Sequence, residues 1–140
     1  MIPNTAVVTG DEISDRVSQF LLDQNMIDVG EEVTLYYSGA LLSFKKEGNF
    51  LTDRRVGAYE EIDGEMWFAT LAYEEIEEVA LEDPGGTMTL ASVVIYPNEG
   101  EGFRLYVPAG VDGVQRFLDM LEDFRRPVLC GAAARQLGMC

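Results

Sequence analysis

Near the N-terminus the apolar residues are three or four positions apart, which places them on one face of a helix. These positions are Ile13, Val17, Phe20 and Leu21. Thr9 and Glu12 precede them with the spacing of a capping box, in which each side chain bonds a free backbone N–H at the helix start. The pattern therefore predicts an amphipathic helix over residues 11–25.

From residue 31 the pattern changes to short runs of β-branched, aromatic and other apolar residues, which are typical of strands. The predicted strand runs are 33–37, 41–44, 50–60, 66–73, 76–81, 87–96 and 102–107. Asp63-Gly64 predicts a two-residue hairpin, because both central residues of a type I′ turn need positive φ. The other predicted turns are Lys45-Lys46-Glu47-Gly48-Asn49, Pro84-Gly85-Gly86 and Asn98-Glu99-Gly100. Strands joined by such short turns pair antiparallel.

Helical spacing returns in the C-terminal part of the chain. One face carries Val114, Phe117, Leu118, Leu121 and Phe124. Asp112 is placed to cap the start of this helix, and Pro127 predicts its end. The element order is therefore a helix, about seven strands and a strongly amphipathic helix, which indicates a helix packed on a curved sheet. The tail over residues 127–140 is rich in small residues and is expected to be a loose helix or disordered.

The net charge of the chain makes some classes of binding partner less favourable than others. Ten Lys and Arg face twenty-five Asp and Glu, so the formal net charge is -15. Such a field repels phosphate backbones and anionic lipid surfaces, which disfavours nucleic acid and membrane as general partners. Solubility explains most of this acid, and a basic protein partner is the main alternative. The length of 140 residues fits one domain spanning 1–140, with no disulfide or metal needed for folding.

The residue types needed for common catalytic chemistry are missing. The sequence contains no histidine, which removes Ser-His-Asp triads, Cys-His pairs and imidazole metal ligands. Its two cysteines, Cys130 and Cys140, form no zinc-ligand set. We therefore expect a protein that is not an enzyme and that has no metal or cofactor. The first residues do not resemble a signal peptide and no apolar run reaches ~20 residues, so a cytoplasmic location is expected.

Three segments together carry a resemblance to known families. They are Gly30-Glu31-Glu32-Val33, then Phe50-Leu51-Thr52-Asp53-Arg54-Arg55-Val56 with Tyr59, and then Tyr73-Glu74-Glu75-Ile76-Glu77-Glu78-Val79. Residues 28–126 resemble the bacterial pleckstrin-homology-like and GRAM-like domains. The resemblance implies an α+β, mainly β fold: a seven-stranded, strongly bent antiparallel barrel or sandwich, capped by the C-terminal helix. The helix over 11–25 lies outside that common domain, so we expect it to cover an edge or an opening.

Four basic residues are the candidate ligand-binding site. Lys45, Lys46, Arg54 and Arg55 gather within a short stretch of an acidic chain, as an anion or a lipid headgroup would require. The alternative is a solvated hairpin tip with strand arginines that pair with local acids. The acidic run from Glu74 to Asp83 is interpreted as the solvent face of a strand, with a docking surface for a basic partner as the alternative. Trp67 and the tyrosines are interpreted mainly as packing residues, with an exposed subset able to form a peptide-binding face.

The leading functional hypothesis is a non-enzymatic binding module that engages a protein or peptide or associates with copies of itself. A bent sandwich leaves sheet edges that accept an added strand. A second hypothesis is an anionic-ligand or lipid-headgroup sensor that uses Lys45, Lys46, Arg54 and Arg55. A third is an acidic inhibitor or immunity-type protein that neutralises a basic partner.

Overall fold

Eight strands and two α-helices make up the described part of the computed structural model, which covers residues 8–9, 13–39, 44–85 and 90–129. The elements are β1 (Val8–Thr9), α1 (Asp15–Asp23), β2 (Val33–Tyr37), β3 (Glu47–Thr52), β4 (Arg55–Ile62), β5 (Glu65–Ala72), β6 (Ile76–Asp83), β7 (Leu90–Pro97), β8 (Phe103–Pro108) and α2 (Arg116–Leu129). Short 3-10 turns at Phe44–Lys46 and Tyr73–Glu75 precede β3 and β6, and a turn at Val111–Gln115 that is kinked at Gly113 leads into α2.

The strands form two antiparallel sheets in which each strand pairs with its neighbour in the sequence. The first sheet has the order β1-β2-β3-β4-β5 and the second has the order β6-β7-β8. The turn between β4 and β5 has positive φ at Asp63 (52°) and Gly64 (82°), which confirms the predicted type I′ hairpin. No hydrogen-bonded ladder joins the two sheets in the described part of the chain, so the fold is an open sandwich and not a closed barrel.

Over β2, β3 and the first half of β4, the five-stranded sheet is covered on both of its faces. Its inner face contributes Leu35, Leu51, Val56 and Ala58 to a core shared with the three-stranded sheet and α2. Its outer face contributes Tyr36, Phe50 and Tyr59 to a second core with Val17 and Leu21 of α1. Successive side chains of a strand point to opposite faces, so burial on both faces gives the continuous apolar runs seen in β2 and β3.

Helix α1 is the covering layer of the outer face, and it begins later than the capping pattern indicated. It spans Asp15–Asp23, and the Ser14 side chain accepts a hydrogen bond from the Val17 backbone N–H. The predicted cap at Thr9 is wrong because Thr9 pairs with Leu35 as part of β1, and an extended residue there cannot start the helix. Phe20 lies on the Tyr59 ring at 5.2 Å between centroids, which fixes the helix against the sheet.

Helix α2 closes one end of the sandwich, as the amphipathic pattern predicted. Phe117 and Leu121 are buried in the inner core, and the Phe124 ring stacks on Tyr73 at 5.4 Å. The predicted end at Pro127 is wrong, because the helix continues to Leu129. A proline this near the helix end removes only the backbone bond to Asp123, whose exposed position lets water replace it.

Two sequence predictions concern residues 41–49, around the start of β3. The predicted strand over 41–44 lies largely outside the described residues, and Phe44 belongs to the 3-10 turn. The predicted turn Lys45–Asn49 is wrong from Glu47 onward, where β3 begins. Asn49 is polar but buried, because its side-chain amide donates a hydrogen bond to the Tyr106 backbone carbonyl of β8 and so links the two sheets.

Candidate functional site

The four basic residues selected from the sequence do not form one cluster. Lys45 and Lys46 precede β3, whereas Arg54 and Arg55 follow it. At about 3.3 Å per residue, the six residues of β3 hold the two pairs about 20 Å apart. Lys46 forms an exposed ion pair with Glu61 at 3.7 Å. A single small anion therefore cannot contact all four side chains at once.

Arg55 is the centre of a polar clamp at the turn between β3 and β4. Its Nε and one terminal nitrogen each donate to the Glu31 carboxylate at 2.9 Å, and the same terminal nitrogen reaches Asp28 at 3.0 Å. The Glu31 side chain has no exposed surface and also accepts from the Thr52 hydroxyl at 2.6 Å. The Tyr73 hydroxyl donates to the Thr52 carbonyl, and burial raises the pKa of that hydroxyl above its ordinary range. These contacts give Arg55 a structural role, in agreement with the alternative interpretation of the strand arginines.

A cleft of about 570 Å³ lies beside this clamp, between the β3–β4 turn, the end of β5 and α2. Its lining includes Asp53, Arg54, Tyr73, Glu74, Asp123 and Phe124. Carboxylates outnumber guanidinium groups on its walls, and Arg54 lies 3.9 Å from Asp28. An anionic ligand would meet mainly repulsive charge there, so the cleft does not restore the anion site that the basic residues indicated.

The apolar surface at the start of β5 has the character of a docking site. Met66, Trp67 and Phe68 are all exposed, Trp67 at 38%, and Ile62 at the end of β4 is 50% exposed. Because consecutive side chains point to opposite faces, this part of the β4–β5 hairpin is uncovered on both faces. β5 is also the last strand of its sheet, so its outer backbone edge has no partner strand within the described sheet.

The sequence interpretation of the aromatic residues is correct for some and wrong for others. Tyr36, Tyr37, Tyr59 and Tyr73 are buried, as a packing role requires. Trp67, Tyr96 and Tyr106 are exposed and form the accessible subset that the peptide-binding alternative described. The signal in the sequence was the unbroken run Met66-Trp67-Phe68 directly after a hairpin turn. Such a run has the same appearance as a strand buried on both faces, so pattern alone could not locate this surface.

Two groups of acidic side chains lie on this side of the chain, one at the β4–β5 hairpin tip and one on the segment that follows β5. They are Glu60, Glu61, Asp63 and Glu65 around the hairpin tip, and Glu74, Glu75, Glu77, Glu78, Glu82 and Asp83 on the following turn and β6. All of them are exposed, which confirms that the acidic run of β6 is a solvent face. The ion pairs described in this region are Glu61 with Lys46 and Glu82 with Arg104. The surface around the β5 edge therefore carries a strong negative potential.

Two further properties apply to the described residues alone. No group of three or more His, Cys, Asp or Glu side chains is arranged there to hold a metal ion. No helix in those same ranges has both the length and the apolar character needed to cross a bilayer. Cys130 and Cys140 lie outside the described residues, and so does the tail from residue 130.

Comparison of the whole chain with known proteins gives a likeness of fold. No protein-family model and no curated protein sequence matches this chain. A solved DUF1696 family protein with a pleckstrin-homology domain, from Shewanella loihica PV-4, superposes with a TM-score of 0.59 at 16% identity, covering 89% of this chain and 99% of that one. A pleckstrin homology domain from Shewanella amazonensis SB2B gives a TM-score of 0.55 at 14% identity, covering 79% and 96% of the two chains.

These likenesses confirm the expected fold class. The chain has a pleckstrin-homology-like fold, mainly β, with two antiparallel sheets and two α-helices in its described part. The GRAM-like half of the resemblance and the division into a core at 28–126 with a tail at 127–140 stay predictions.

Proposed function

We propose that this protein is a non-enzymatic binding module that captures an extended, basic segment of another protein along the free edge of β5. The observation that carries the proposal is the exposure of Met66, Trp67 and Phe68 on both faces of an edge strand. A segment added to this edge would bond to unpaired backbone groups of β5 and bury apolar side chains above and below it. Sheet edges that are not used for pairing are usually protected by charge, proline or a covering element.

The negative charge of the surface near the β5 edge favours a basic segment as the binding partner. The acidic residues at the hairpin tip would attract lysine and arginine side chains on the added segment and would repel acidic ones. A second copy of this chain would bring another net charge of -15 to the contact, which opposes self-association. This complementarity combines the binding-module hypothesis with that of an acidic protein that neutralises a basic partner. We place the interaction in the cytoplasm, as the sequence predicts.

Anion binding by Lys45, Lys46, Arg54 and Arg55 has less support. The two pairs are at opposite ends of β3, and Arg55 is engaged by Glu31 and Asp28. A ligand at the Arg54 end would also have to compete with the acids of the adjacent cleft.

The proposal is tested with a capped peptide of the same length as β5, in which lysine and valine alternate. Hydrogen–deuterium exchange is followed by NMR at the backbone amides of β5, with and without the peptide. Strand addition should slow the exchange of alternate β5 amides, because only every second N–H of an edge strand points outward. The control peptide has the same sequence with alternate backbone nitrogens methylated, which keeps its charge and removes its pairing groups.

Two matched variants test whether the peptide binds at the β5 edge. Phe68→Lys removes apolar surface at the edge and adds a repelling charge, so it should weaken peptide binding about tenfold, equivalent to about 1.4 kcal/mol. Val29→Lys makes the same change in charge at a residue that is 86% exposed near the opposite end of the sheet, and it should leave affinity within about twofold. Equal protection by the methylated peptide would refute strand pairing. Concentration-dependent protection without peptide would identify a second copy as the occupant and overturn the basic partner.

A further inference from the structure

A small pocket of about 150 Å³ adjoins the β5 edge, at the mouth of the sandwich between the start of β3, the end of β4 and β8. Its walls include the carboxylates of Glu47 and Glu60 and the rings of Trp67 and Tyr106. Trp67 belongs to the exposed edge strand and also to this pocket. Phe103 holds the Trp67 ring in an edge-to-face contact at 6.2 Å between centroids, so the aromatic wall is fixed in place.

The strand register brings the two carboxylates and the indole into one row. Glu47 lies directly opposite Glu60 in the β3–β4 pair, and Glu60 lies directly opposite Trp67 in the β4–β5 pair. Directly opposed side chains share one face of a sheet at about 4.5–5.5 Å between Cβ atoms. Two carboxylates opposed in this way repel each other and destabilise the sheet unless a cation lies between or above them.

The surroundings of Glu47 disfavour its negative charge. Burial raises the pKa of Glu47, a hydrogen bond from the Gly39 backbone N–H lowers it, and the Glu60 charge raises it again. Two of the basic residues near the pocket have ion-pair partners elsewhere on the surface. Lys46 is paired with Glu61 at 3.7 Å, and Arg104, which also lines the pocket, is paired with Glu82 at 2.7 Å.

The size and the walls of the pocket define what it fits. At about 150 Å³ the pocket admits a slender ligand. A lysine side chain is slender, with four methylenes that suit the aromatic walls and one ammonium that suits the carboxylates. Indole and phenol rings also attract ammonium groups through the negative faces of their π-systems. A calcium ion would need six to eight oxygen ligands, more than two carboxylates supply.

We infer that this pocket is a binding site for an organic ammonium group, and that in the complex it takes the side chain of one lysine of the captured segment. The inference rests on the proposed function for the identity of the ligand, since the lysine belongs to the basic partner. The pocket itself does not depend on strand pairing, because its walls are formed by this chain alone. It would add a requirement for a lysine at one position to the general attraction of the acidic surface.

The test uses n-butylammonium chloride, which reproduces the lysine side chain without a peptide backbone. Trp67 is the single tryptophan of the sequence, so the intrinsic fluorescence of the protein reports directly on the pocket wall. Saturable change of the Trp67 emission is expected on titration with n-butylammonium. No such change is expected with n-butanol, or with sodium chloride at matched ionic strength.

Two isosteric variants separate the pocket from the general field. Glu60→Gln should weaken n-butylammonium binding about three- to fivefold, the range of an exposed ion pair. Glu61→Gln removes the same charge from the next residue, which points to the opposite face, and should leave the affinity unchanged. Equal weakening by both variants, or an equal response to n-butanol, would overturn the ammonium site. If n-butylammonium has no effect while the alternating peptide still protects β5, the pocket is refuted and the proposed function stands. If n-butylammonium binds but the alternating peptide does not protect β5, the proposed function is refuted and the ammonium pocket stands.

Discussion

Replacement of Glu31 by glutamine tests whether the polar clamp around Arg55 is a main determinant of stability. The Glu31 carboxylate is fully buried and accepts from the Thr52 hydroxyl, from Arg55 and from the Asp28 backbone N–H at 3.0 Å. A glutamine of the same shape keeps one acceptor oxygen but has an NH₂ group in place of the other. This NH₂ group would face N–H or O–H donors that now bond to the Glu31 carboxylate. It also leaves the Arg55 guanidinium, which is 22% exposed, with Asp28 as its remaining carboxylate partner.

The expected loss follows from these contacts. Removal of one partner of a buried ion pair costs about 3–5 kcal/mol, and each hydrogen bond to a charged group contributes about 1.5–3 kcal/mol. Asp28 still compensates part of the Arg55 charge, so we expect Glu31→Gln to lower the free energy of unfolding by about 3 kcal/mol. For a domain of this size that corresponds to a fall in Tm of about 6–12 °C.

Urea unfolding followed by Trp67 fluorescence and by circular dichroism measures this loss, with agreement between the two probes as the check on two-state behaviour. Asp28→Asn is the matched control. It removes the other carboxylate that pairs with the Arg55 guanidinium, and the Asp28 side chain is 68% exposed. It should cost less than about 1 kcal/mol. A loss below about 1 kcal/mol for Glu31→Gln, or equal losses for the two variants, would refute the role of burial in the clamp.

Three further predictions concern packing and pH. Leu21→Ala, at a fully buried position of α1, should cost about 2–5 kcal/mol in urea unfolding, whereas Leu22→Ala, which is partly exposed, should cost clearly less. Gly57→Ala places a methyl group against the Phe50 ring and should cost about 1–3 kcal/mol, with Phe50→Leu in the same chain recovering part of the loss; additive costs would contradict this contact. Burial raises the pKa of Glu47 above its ordinary value, so the protonated form of Glu47 stabilises the fold, and this stabilisation is lost as the pH rises through the folded-state pKa. Glu47→Gln should therefore gain stability relative to the natural chain at pH 7 but not near pH 4, and a constant difference between pH 4 and pH 7 would argue against this linkage.

Much of the fold could be predicted from local patterns because each hydrogen-bonded strand pair is adjacent in the sequence. The Asp63-Gly64 turn fixed the β4–β5 hairpin, and the spacing of Phe117, Leu121 and Phe124 fixed the buried face of α2. The errors arose where tertiary contacts override local preference. Thr9 has the sequence context of a helix cap, but its backbone pairs with β2.

The candidate site was harder to predict because proximity in sequence is a poor guide to proximity across a strand. Lys46 and Arg54 are eight positions apart in the sequence, and β3 keeps them at opposite ends of the sheet. Glu31 and Arg55 are far apart in sequence and in direct contact in the fold. The exposure of Met66 and Phe68 depends on where α1 stops covering the outer face, and that of Trp67 on where the three-stranded sheet stops covering the inner face, so the local sequence gave no indication of either.

The strictly sequential strand order also bears on how the chain acquires its fold during synthesis. Helix α1 and strands β1 to β5 precede the rest of the chain, so the outer core can be completed before β6 leaves the ribosome. The inner core needs Phe117 and Leu121, which emerge last, and until then Leu51, Val56 and Ala58 remain open to solvent and to other chains. The nascent protein is therefore expected to be most prone to aggregation, and most dependent on chaperones, in the interval between the two events.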